Sequence, residues 1–558
     1  MARICTFLTI SFVSCLLLSG CEPKDGASTN GTNGTETTET TASAAAEETA
    51  AKEAEEKELL RAIVIEEVKK ILGDPKDINE LTGDEAKVRE LVQRELFTNQ
   101  KNTFDLLMTS QIRKELDKVR TNTNNAWKGQ LSRNMGRIKN ELASYIRKNG
   151  VPVGALENAL EQLAAIKRIE EHYGDITYGK AGEVVTVEIS DAMMTDDDLK
   201  LISSLTSCTK LAVYGTQISD KGMEYLNKMT WLKDLAIVNT GITDDGLAKL
   251  KDLQNLTRLS LRRSPNLTDA GLRNLSSLPK IEQLVLMYNN FGDEAVKIVA
   301  EQYPNLTLLD IRACQVGNDA LAEVGKLHNL KVLKVRLGIF DDEGFAKLAT
   351  CKELLTLEVQ DCNLTEVGLA VIKNFTKMRE LTIMRCNATD EGIGQLTGLN
   401  DLRFLSLRAN GTITGTCLKA FVNCDKLAEL NIEETIVDDA AMPFIAQMKG
   451  LEILKMWATR ITGKGLAELV KCEALREINL KNIPTLKSED VQYLGPAKIP
   501  TLEKVDLSEN YQLDAVMVRY FTDVGYGLKE IIFTGCKLTA YEINDLKMSL
   551  SGTRVVFD

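Results

Sequence analysis

The feature that most constrains this fold is a sequence repeat in the C-terminal two-thirds of the chain, with a spacing of 24 or 25 residues in most units and of 27 and 26 near the end. One unit begins at Leu235 and continues through Thr243, Asp244 and Gly246, and the same residue classes return at the same offsets in other units. Such a period predicts a stack of small units that bury their apolar faces against one another, with a closing strand at 555–557. The first positions of the fifteen units are Val187, Leu211, Leu235, Leu259, Leu284, Leu309, Leu333, Leu357, Leu381, Leu405, Leu430, Leu454, Ile478, Val505 and Ile531.

Each position of the unit has a physical role. The first and third residues, such as Leu235 and Ile237, are expected to point inward from a short parallel strand, while the second and fourth point outward. A polar sixth residue can satisfy backbone groups where the strand ends. Thr243 then caps a helix, Asp244 favours the dipole of its first turn, and Gly246 permits close helix packing. These roles predict an α/β solenoid with strands on a concave face and helices on a convex face.

The spacing matches the leucine-rich-repeat pattern L-x-x-L-x-L-x-x-N/C-x-L, and the resemblance covers residues 181–558. The units resemble the cysteine-containing subclass found in F-box substrate receptors. The variant Thr-Asp-x-Gly-Leu, seen at 243–247, is similar to repeats of planctomycete-type bacterial envelope proteins. Residues 54–173 lack the Leu-Pro start of an F-box. The resemblance therefore implies a fold and a binding style rather than ubiquitin ligation.

Residues 1–20 are typical of a signal peptide, because Arg3 precedes a short apolar run from Cys5 to Leu18. The end of this run, Leu18-Ser19-Gly20-Cys21, resembles the lipobox of bacterial lipoproteins. That resemblance implies cleavage before Cys21 and acylation of its thiol and new amino terminus, which gives a stable membrane anchor. An ordinary secretory signal with a chance cysteine is the alternative. The lipoprotein interpretation predicts a place in the bacterial cell envelope, and Glu22 favours the outer membrane, on its periplasmic or surface side.

Two segments separate the predicted signal peptide from the repeats. Residues 21–55 are rich in Thr, Ala, Glu and Gly, a composition that predicts a disordered tether. Residues 56–175 carry apolar residues at three- and four-residue steps, as at Leu131, Met135 and Ile138, which predicts an all-α segment. We favour a helical bundle or stalk that caps the solenoid, and a partner-binding or dimerising arm is the alternative.

The inventory of reactive residues argues against catalysis. The chain has only two histidines, His172 and His328, and no C-x-x-C, P-loop or G-x-S-x-G motif. Most cysteines after residue 200 occupy apolar or sixth positions of the repeats, which favours core packing, and Cys208 alone has no clear repeat role. We therefore expect no enzyme, metal, cofactor or small-molecule substrate. The net charge of −12 argues against a nucleic-acid partner.

The outward-facing fourth and fifth positions of the central units contain many large residues of the types that dominate protein interfaces. Their basic character contrasts with the acidic chain and predicts a concave surface that binds an acidic protein partner, whereas an ordinary solvated strand face is the alternative. We call this set the arginine strip: Tyr214, Arg262, Arg263, Met287, Tyr288, Arg312, Arg336, Met384, Arg385, Arg408 and Trp457.

The sequence as a whole predicts an envelope-anchored module that binds or scaffolds a protein. One alternative is a substrate-receptor-like role similar to that of F-box leucine-rich-repeat proteins. Another is an architectural or glycan-binding envelope protein. Glycan platforms use rows of aromatic residues, whereas Tyr214, Tyr288 and Trp457 are widely separated along the chain. A protein partner is therefore the favoured interpretation.

Overall fold

The computed structural model describes residues 161–162, 164–166, 168–179, 184–495, 497–521, 527–550 and 552–557. The predicted signal peptide, Cys21, the tether and most of the predicted helical segment lie outside these residues. Within the described ranges, no helix combines the length and the apolar character that crossing a bilayer requires.

The described residues contain one sheet of 17 strands. Strands β2 to β17 pair in parallel and in chain order, whereas β1 pairs with β2 in antiparallel fashion. The strands are β1 (Asp175–Tyr178), β2 (Val184–Glu188), β3 (Lys210–Tyr214), β4 (Asp234–Val238), β5 (Arg258–Arg262), β6 (Gln283–Val285), β7 (Leu308–Asp310), β8 (Val332–Arg336), β9 (Thr356–Gln360), β10 (Glu380–Met384), β11 (Phe404–Ser406), β12 (Glu429–Asn431), β13 (Ile453–Lys455), β14 (Glu477–Asn479), β15 (Lys504–Asp506), β16 (Glu530–Ile532) and β17 (Arg554–Val556).

The strand register joins the first positions of successive units. Val187 lies opposite Leu211, Leu211 lies opposite Leu235, and the same correspondence continues to Ile531 opposite Val555. Because every inward residue meets its equivalent in the next unit, the apolar side chains stack in unbroken columns. The predicted fold class, a solenoid of parallel strands alternating with helices, is confirmed.

A short helix or 3-10 helix lies between most pairs of strands, since a unit of 24 to 25 residues leaves few residues for it. The α-helices are Asp196–Ile202, Asp220–Leu226, Asp244–Ala248, Asp293–Gln302, Asn318–Val324, Asp342–Ala346, Glu366–Leu369, Asp390–Gly394, Met442–Ile445, Gly463–Glu468 and Ala540–Ser549. The 3-10 helices are Ala270–Ser277, Lys347–Thr350, Ala370–Asn374, Thr416–Phe421, Asp439–Ala441, Leu469–Lys471, Ser488–Leu494 and Ala515–Tyr520.

The cysteines of the repeats belong to the apolar core, as predicted. All nine from Cys208 to Cys536 are free thiols, and eight of them are buried. Burial raises the pKa of the Cys208 thiol and of the Cys386 thiol to about 12. Protonated, buried thiols are poor nucleophiles and behave as small apolar groups. Cys208, which has no repeat role in the sequence, is fully buried and donates to the carbonyl oxygen of Lys210 at 3.2 Å.

The N-terminal end of the array is covered by a helical stretch and by β1. Ile166 and Ile169 lie in the helical stretch that ends at residue 171, and both are buried in the same core as the repeats. Arg168 Nε donates to Asp198 Oδ1 at 2.5 Å, which joins this stretch to the first repeat helix. Strand β1 was not anticipated: its residues, Asp-Ile-Thr-Tyr, alternate polar and apolar side chains, but four residues are too short a run to predict a strand.

An acidic residue at the start of many repeat helices reaches forward to the next unit. Asp220 accepts hydrogen bonds from the backbone N–H of Thr243 at 2.8 Å and from its hydroxyl at 2.7 Å. Asp439 accepts the same pair from Thr462, at 2.7 and 2.6 Å. These residues were expected to act on their own helix dipole, and the structure adds a bond between units. We call the set the carboxylate ladder: Asp196, Asp220, Asp244, Asp342, Asp390 and Asp439.

The ladder also explains why glycine is frequent as the third residue of the repeat helices. A Cβ atom on Gly246 would lie 2.3 Å from Asp220 Oδ1, and one on Gly465 would lie 2.4 Å from Asp439 Oδ1. Real Cβ atoms do not approach oxygen this closely. In these units the carboxylate of the preceding unit favours glycine, whereas Cys417 stands at this position after Asp390 and donates its backbone N–H to that carboxylate.

Candidate functional site: the arginine strip

The arginine strip lies on the face of the sheet opposite the buried core. In β8 the side chains of Leu333 and Val335 are buried, while those of Lys334 and Arg336 are partly exposed. Four strip residues end their strands, and four others follow a strand by two residues. The first group is Tyr214, Arg262, Arg336 and Met384, and the second is Met287, Arg312, Arg408 and Trp457.

The fifth position turns the chain out of the strand. Arg263, Tyr288 and Arg385 have φ values of 51°, 60° and 51°, and residues at this position in most other units share the left-handed conformation. A side chain with a Cβ atom adopts this conformation only at an energetic cost, which the surrounding stack must offset. The strip therefore consists of two columns of side chains. The fifth-position residues have the left-handed backbone conformation and the fourth-position residues do not.

Arg312 is held by two carboxylates. Its guanidinium makes a bidentate pair with Asp310, at 2.9 and 2.7 Å, and its Nη1 lies 2.9 Å from Glu358 Oε1. Lys334 reaches the other oxygen of Glu358 at 3.1 Å. Asp310 retains only 4% of its side-chain exposure, so Arg312 neutralises a buried charge. Met287, which contacts Arg312 Nη2 through sulfur at 3.6 Å, is itself buried and offers little surface.

A second cluster forms around Asp361. Arg336 Nε donates to its Oδ2 at 2.6 Å, and Arg385 binds the same carboxylate from the neighbouring side. The hydrogen bond from Arg385, together with that from Arg336, lowers the pKa of the Asp361 carboxyl despite its partial burial. Arg336 Nη1 also donates to the hydroxyl of Tyr288 at 3.1 Å. This cluster fixes the positions of three strip residues.

The third cluster surrounds Trp457. Arg408 lies over its ring at 5.2 Å and Lys481 at 5.7 Å, distances typical of cation–π contacts. Arg408 Nε also donates to Glu434 at 2.8 Å. The indole N–H of Trp457 is buried and has no hydrogen-bond partner.

Arg262 and Arg263 differ from the arginines that follow them along the strip. Within the described part of the chain, neither has a carboxylate within ion-pair distance, and the Nε of Arg262 is buried without a hydrogen-bond partner. Arg263 is exposed and lies over the ring of Tyr288 at 5.0 Å. The strip is therefore not uniformly basic: its uncompensated positive charge lies at Arg262 and Arg263.

The described residues show no arrangement of three His, Cys, Asp or Glu side chains that could hold a metal ion. The polar groups of the strip are arranged as ion pairs and ring contacts. Chemically, such a surface can supply hydrogen-bond donors, aromatic faces and, at Arg262 and Arg263, net positive charge.

A leucine-rich-repeat family model matches residues 228–251, which include the first part of the unit that begins at Leu235. The same strand register and residue pattern extend over the other units. The array is a leucine-rich-repeat solenoid. A comparison with curated proteins finds no match.

Several solved structures are similar to this chain. They include a leucine-rich-repeat protein of Leptospira interrogans, with 16% identity over 64% of this chain and 92% of that one, at a TM-score of 0.40. An internalin from Listeria monocytogenes has 17% identity over 71% and 93%, at 0.32. The plant peptide hormone receptor RGFR1, in complex with RGF2, has 13% identity over 64% and 60%, at 0.35. Likenesses this weak carry no argument about what the solenoid binds.

Proposed function

We propose that this protein is an envelope-anchored binding module that holds a protein partner on its arginine strip. Leucine-rich-repeat solenoids present an extended surface along their strands, and partners bind there in proteins of this architecture. The strip supplies the residue types that carry most of the binding energy at protein interfaces, namely Arg, Tyr and Trp. The proposed role is recognition rather than catalysis.

The observation that carries the proposal is a pair of buried donors without acceptors. Arg262 Nε and Trp457 Nε1 lie on the strip and have no hydrogen-bond partner. A buried polar group left without a partner costs about 1–3 kcal/mol, and folded proteins rarely tolerate it without a reason. A bound protein could supply the acceptor at either position if the side chain turned its N–H outward on binding.

The test is affinity capture from envelope extracts with the full chain and with the double variant Arg262→Ala/Trp457→Ala. The proposal predicts that the variant loses partners that the wild type retains, while a cooperative thermal transition shows that the variant is still folded. A control variant, Lys373→Ala/Lys464→Ala, removes two exposed lysines from the helices and should capture the same partners as wild type. Equal recovery by all three proteins would refute the role of the strip.

The anchoring part of the proposal is supported by the sequence from Cys5 to Cys21, whose apolar run ends in a lipobox-like motif. Acylation at Cys21 would hold the protein at the bacterial outer membrane through several chains. Detergent phase partitioning of wild type and Cys21→Ser tests it directly. The wild type should enter the detergent phase and the variant the aqueous phase, whereas wild type in the aqueous phase would contradict lipidation.

A further inference from the structure

One loop of the array exposes two large aliphatic side chains. The loop after β8 begins with Leu337, which is 52% exposed, and continues to Ile339, which is 77% exposed. Gln315 and Asn363 occupy the position of Ile339 in the units on either side. The sixth position of this unit is Gly338 rather than Thr, Ser, Asn or Cys. A local departure from the pattern of most units is where function is expected.

Packing beneath the loop explains the glycine but not the exposed residues. A Cβ atom on Gly338 would lie 2.1 Å from the ring of Phe340, which is buried and stacks on Phe345. Leu337 and Ile339 lie outside this core and remain in solvent. Exposing two neighbouring aliphatic side chains forfeits the free energy of their burial, about 25 cal/mol for each Å². A bound partner would recover it.

The exposed loop continues a row of the arginine strip. Tyr288, Ala313 and Leu337 occupy the fifth positions of three consecutive units, and all three have the left-handed backbone conformation. Arg263 holds the same position in the unit before Tyr288, and its guanidinium covers the Tyr288 ring. The row therefore starts at uncompensated positive charge and ends at exposed aliphatic surface.

We propose that this row binds an extended polypeptide segment of the partner that carries an acidic residue and, about four positions away, an aliphatic or aromatic residue. The carboxylate pairs with Arg262 and Arg263, and the apolar residue packs on Leu337 and Ile339. This inference rests on the proposed function, because it names the chemistry of the partner at the same strip.

The spacing follows from the geometry of the sheet. Arg263 and Leu337 belong to units three strands apart, so their backbones are separated by about 14 Å at ~4.8 Å per strand. An extended chain rises about 3.3 Å per residue and covers this separation in roughly four residues. The charge requirement follows from the ion pairs: Arg312, Arg336 and Arg385 already have carboxylate partners within the chain, whereas Arg262 and Arg263 do not.

The test is a selection of random linear peptides displayed on phage against the full chain. The expected peptides combine Asp or Glu with Leu, Ile, Met or Phe about four positions away. One enriched peptide is then synthesised with its acid and with the corresponding amide, and fluorescence anisotropy measures the affinity of both for wild type and variants. Arg262→Gln/Arg263→Gln should weaken the acidic peptide by about tenfold or more, and Leu337→Ser/Ile339→Ser should do the same.

A matched control separates a specific contact from bulk charge. Lys373→Gln/Lys464→Gln removes the same number of positive charges from the helices and should leave the affinity within about twofold. The acid-to-amide change and Arg262→Gln/Arg263→Gln should also be non-additive, because they remove the same interaction. Additive effects, enriched peptides without an acidic residue, or no enrichment at all would overturn the inference.

The outcomes also separate this inference from the proposed function. If enriched peptides depend on Trp457 or Tyr214 but not on Arg262, Arg263, Leu337 or Ile339, the strip binds proteins and the assigned row is wrong. If no substitution on the strip changes peptide affinity, both proposals fail. Melting temperatures of all variants confirm that each one is folded.

Discussion

The carboxylate ladder and the arginine strip run along the same array, and they differ in how their residues change from unit to unit. Asp220, Asp244 and Asp439 bind the next cap residue through the same two hydrogen bonds. At the fourth position, by contrast, Arg262 gives way to Met287 and later to Trp457. Residues that stay constant within the repeats hold the stack together. Residues that change at a constant position are free to recognise something else.

The two regions should therefore respond differently to substitution, and the ladder should show the largest effect. In Gly271→Val the new Cβ atom would lie 1.9 Å from Asp244 Oδ1, so the carboxylate must leave Thr268. We expect the free energy of unfolding to fall by about 3 kcal/mol, measured by urea denaturation. Gly411→Val is the control, because a Cβ atom there meets nothing within 4 Å, and a comparable loss in that variant would contradict the explanation.

Arg312 tests whether part of the strip behaves like the ladder. Arg312→Ala leaves Asp310 and Glu358, which are 4% and 13% exposed, without their principal partner. Uncompensated buried charge is strongly destabilising, and the partial exposure of Arg312 reduces the expected loss to about 2 kcal/mol. Arg385→Ala is the comparison, since Arg336 still neutralises Asp361, and should cost less than about 1 kcal/mol in chemical denaturation. Equal losses would show that burial does not decide the effect.

The pH dependence of stability should show how much the ionised carboxylates of the ladder contribute to the free energy of unfolding. Burial alone would raise the pKa of the Asp390 carboxyl, but hydrogen bonds from the N–H groups of Cys417 and Thr414 and from the Thr414 hydroxyl lower it overall. A carboxyl with a lowered folded-state pKa stabilises the protein above its unfolded pKa of about 3.9, and this contribution disappears as the pH falls through the folded-state pKa.

Asp390→Asn should accordingly cost about 1 kcal/mol near neutral pH, and its difference from wild type should shrink on acidification. Urea midpoints at several pH values measure this. Asp319→Asn changes an exposed acidic residue in a helix first turn and should shift the midpoint only slightly. A difference for Asp390→Asn that grows at low pH would have the wrong sign.

The left-handed column offers a smaller effect of opposite sign. Ala409 has φ 59°, a conformation that glycine adopts without steric cost. Ala409→Gly should raise the free energy of unfolding by about 0.5 kcal/mol, because the relief slightly exceeds the entropy cost of glycine. Thermal denaturation compares it with Ala212→Gly, a β3 residue outside the left-handed region, which should lose stability.

The smallest effect is expected at Arg262. Arg262→Ala removes the unpartnered Nε, which favours the folded state, but it also removes the packing of the aliphatic stem, so stability should change by less than about 0.5 kcal/mol. Calorimetry alongside Arg312→Ala checks this. A loss at Arg262 as large as that at Arg312 would erase the distinction between paired and unpaired arginines.

The sequence period was enough to predict the repeat array and its strand register, but it did not predict which side chains form ion pairs. A constant period places Leu211, Leu235 and Leu259 opposite one another whatever lies between them, so the register follows directly from the spacing. The same period could not show that Asp361 serves both Arg336 and Arg385, since several carboxylates lie within reach of each guanidinium. The pairing depends on loop geometry that no repeat consensus encodes.

Other features gave a weak or misleading signal. The left-handed conformation at Arg263 and Tyr288 was missed because glycine, its usual marker, is absent there. Leu337 and Ile339 are two large aliphatic residues close together in a loop, and a comparison of the loops unit by unit would have found them. The aspartates of the ladder were assigned to their own helices because each one accepts hydrogen bonds from the cap residue of the next unit. The sequence of a single unit does not contain both partners.

The hydrogen bonds of the carboxylate ladder bear on the order in which the repeats fold during synthesis. A cap residue such as Thr243 donates to the carboxylate of Asp220, which is synthesised before it. A chain that emerges from the ribosome amino terminus first can therefore complete each repeat as it appears. Loss of an early unit would leave the backbone N–H and the hydroxyl of the next cap residue without their carboxylate acceptor, while loss of a late one would leave a carboxylate in water. The solenoid can therefore fold progressively from its N-terminal repeats.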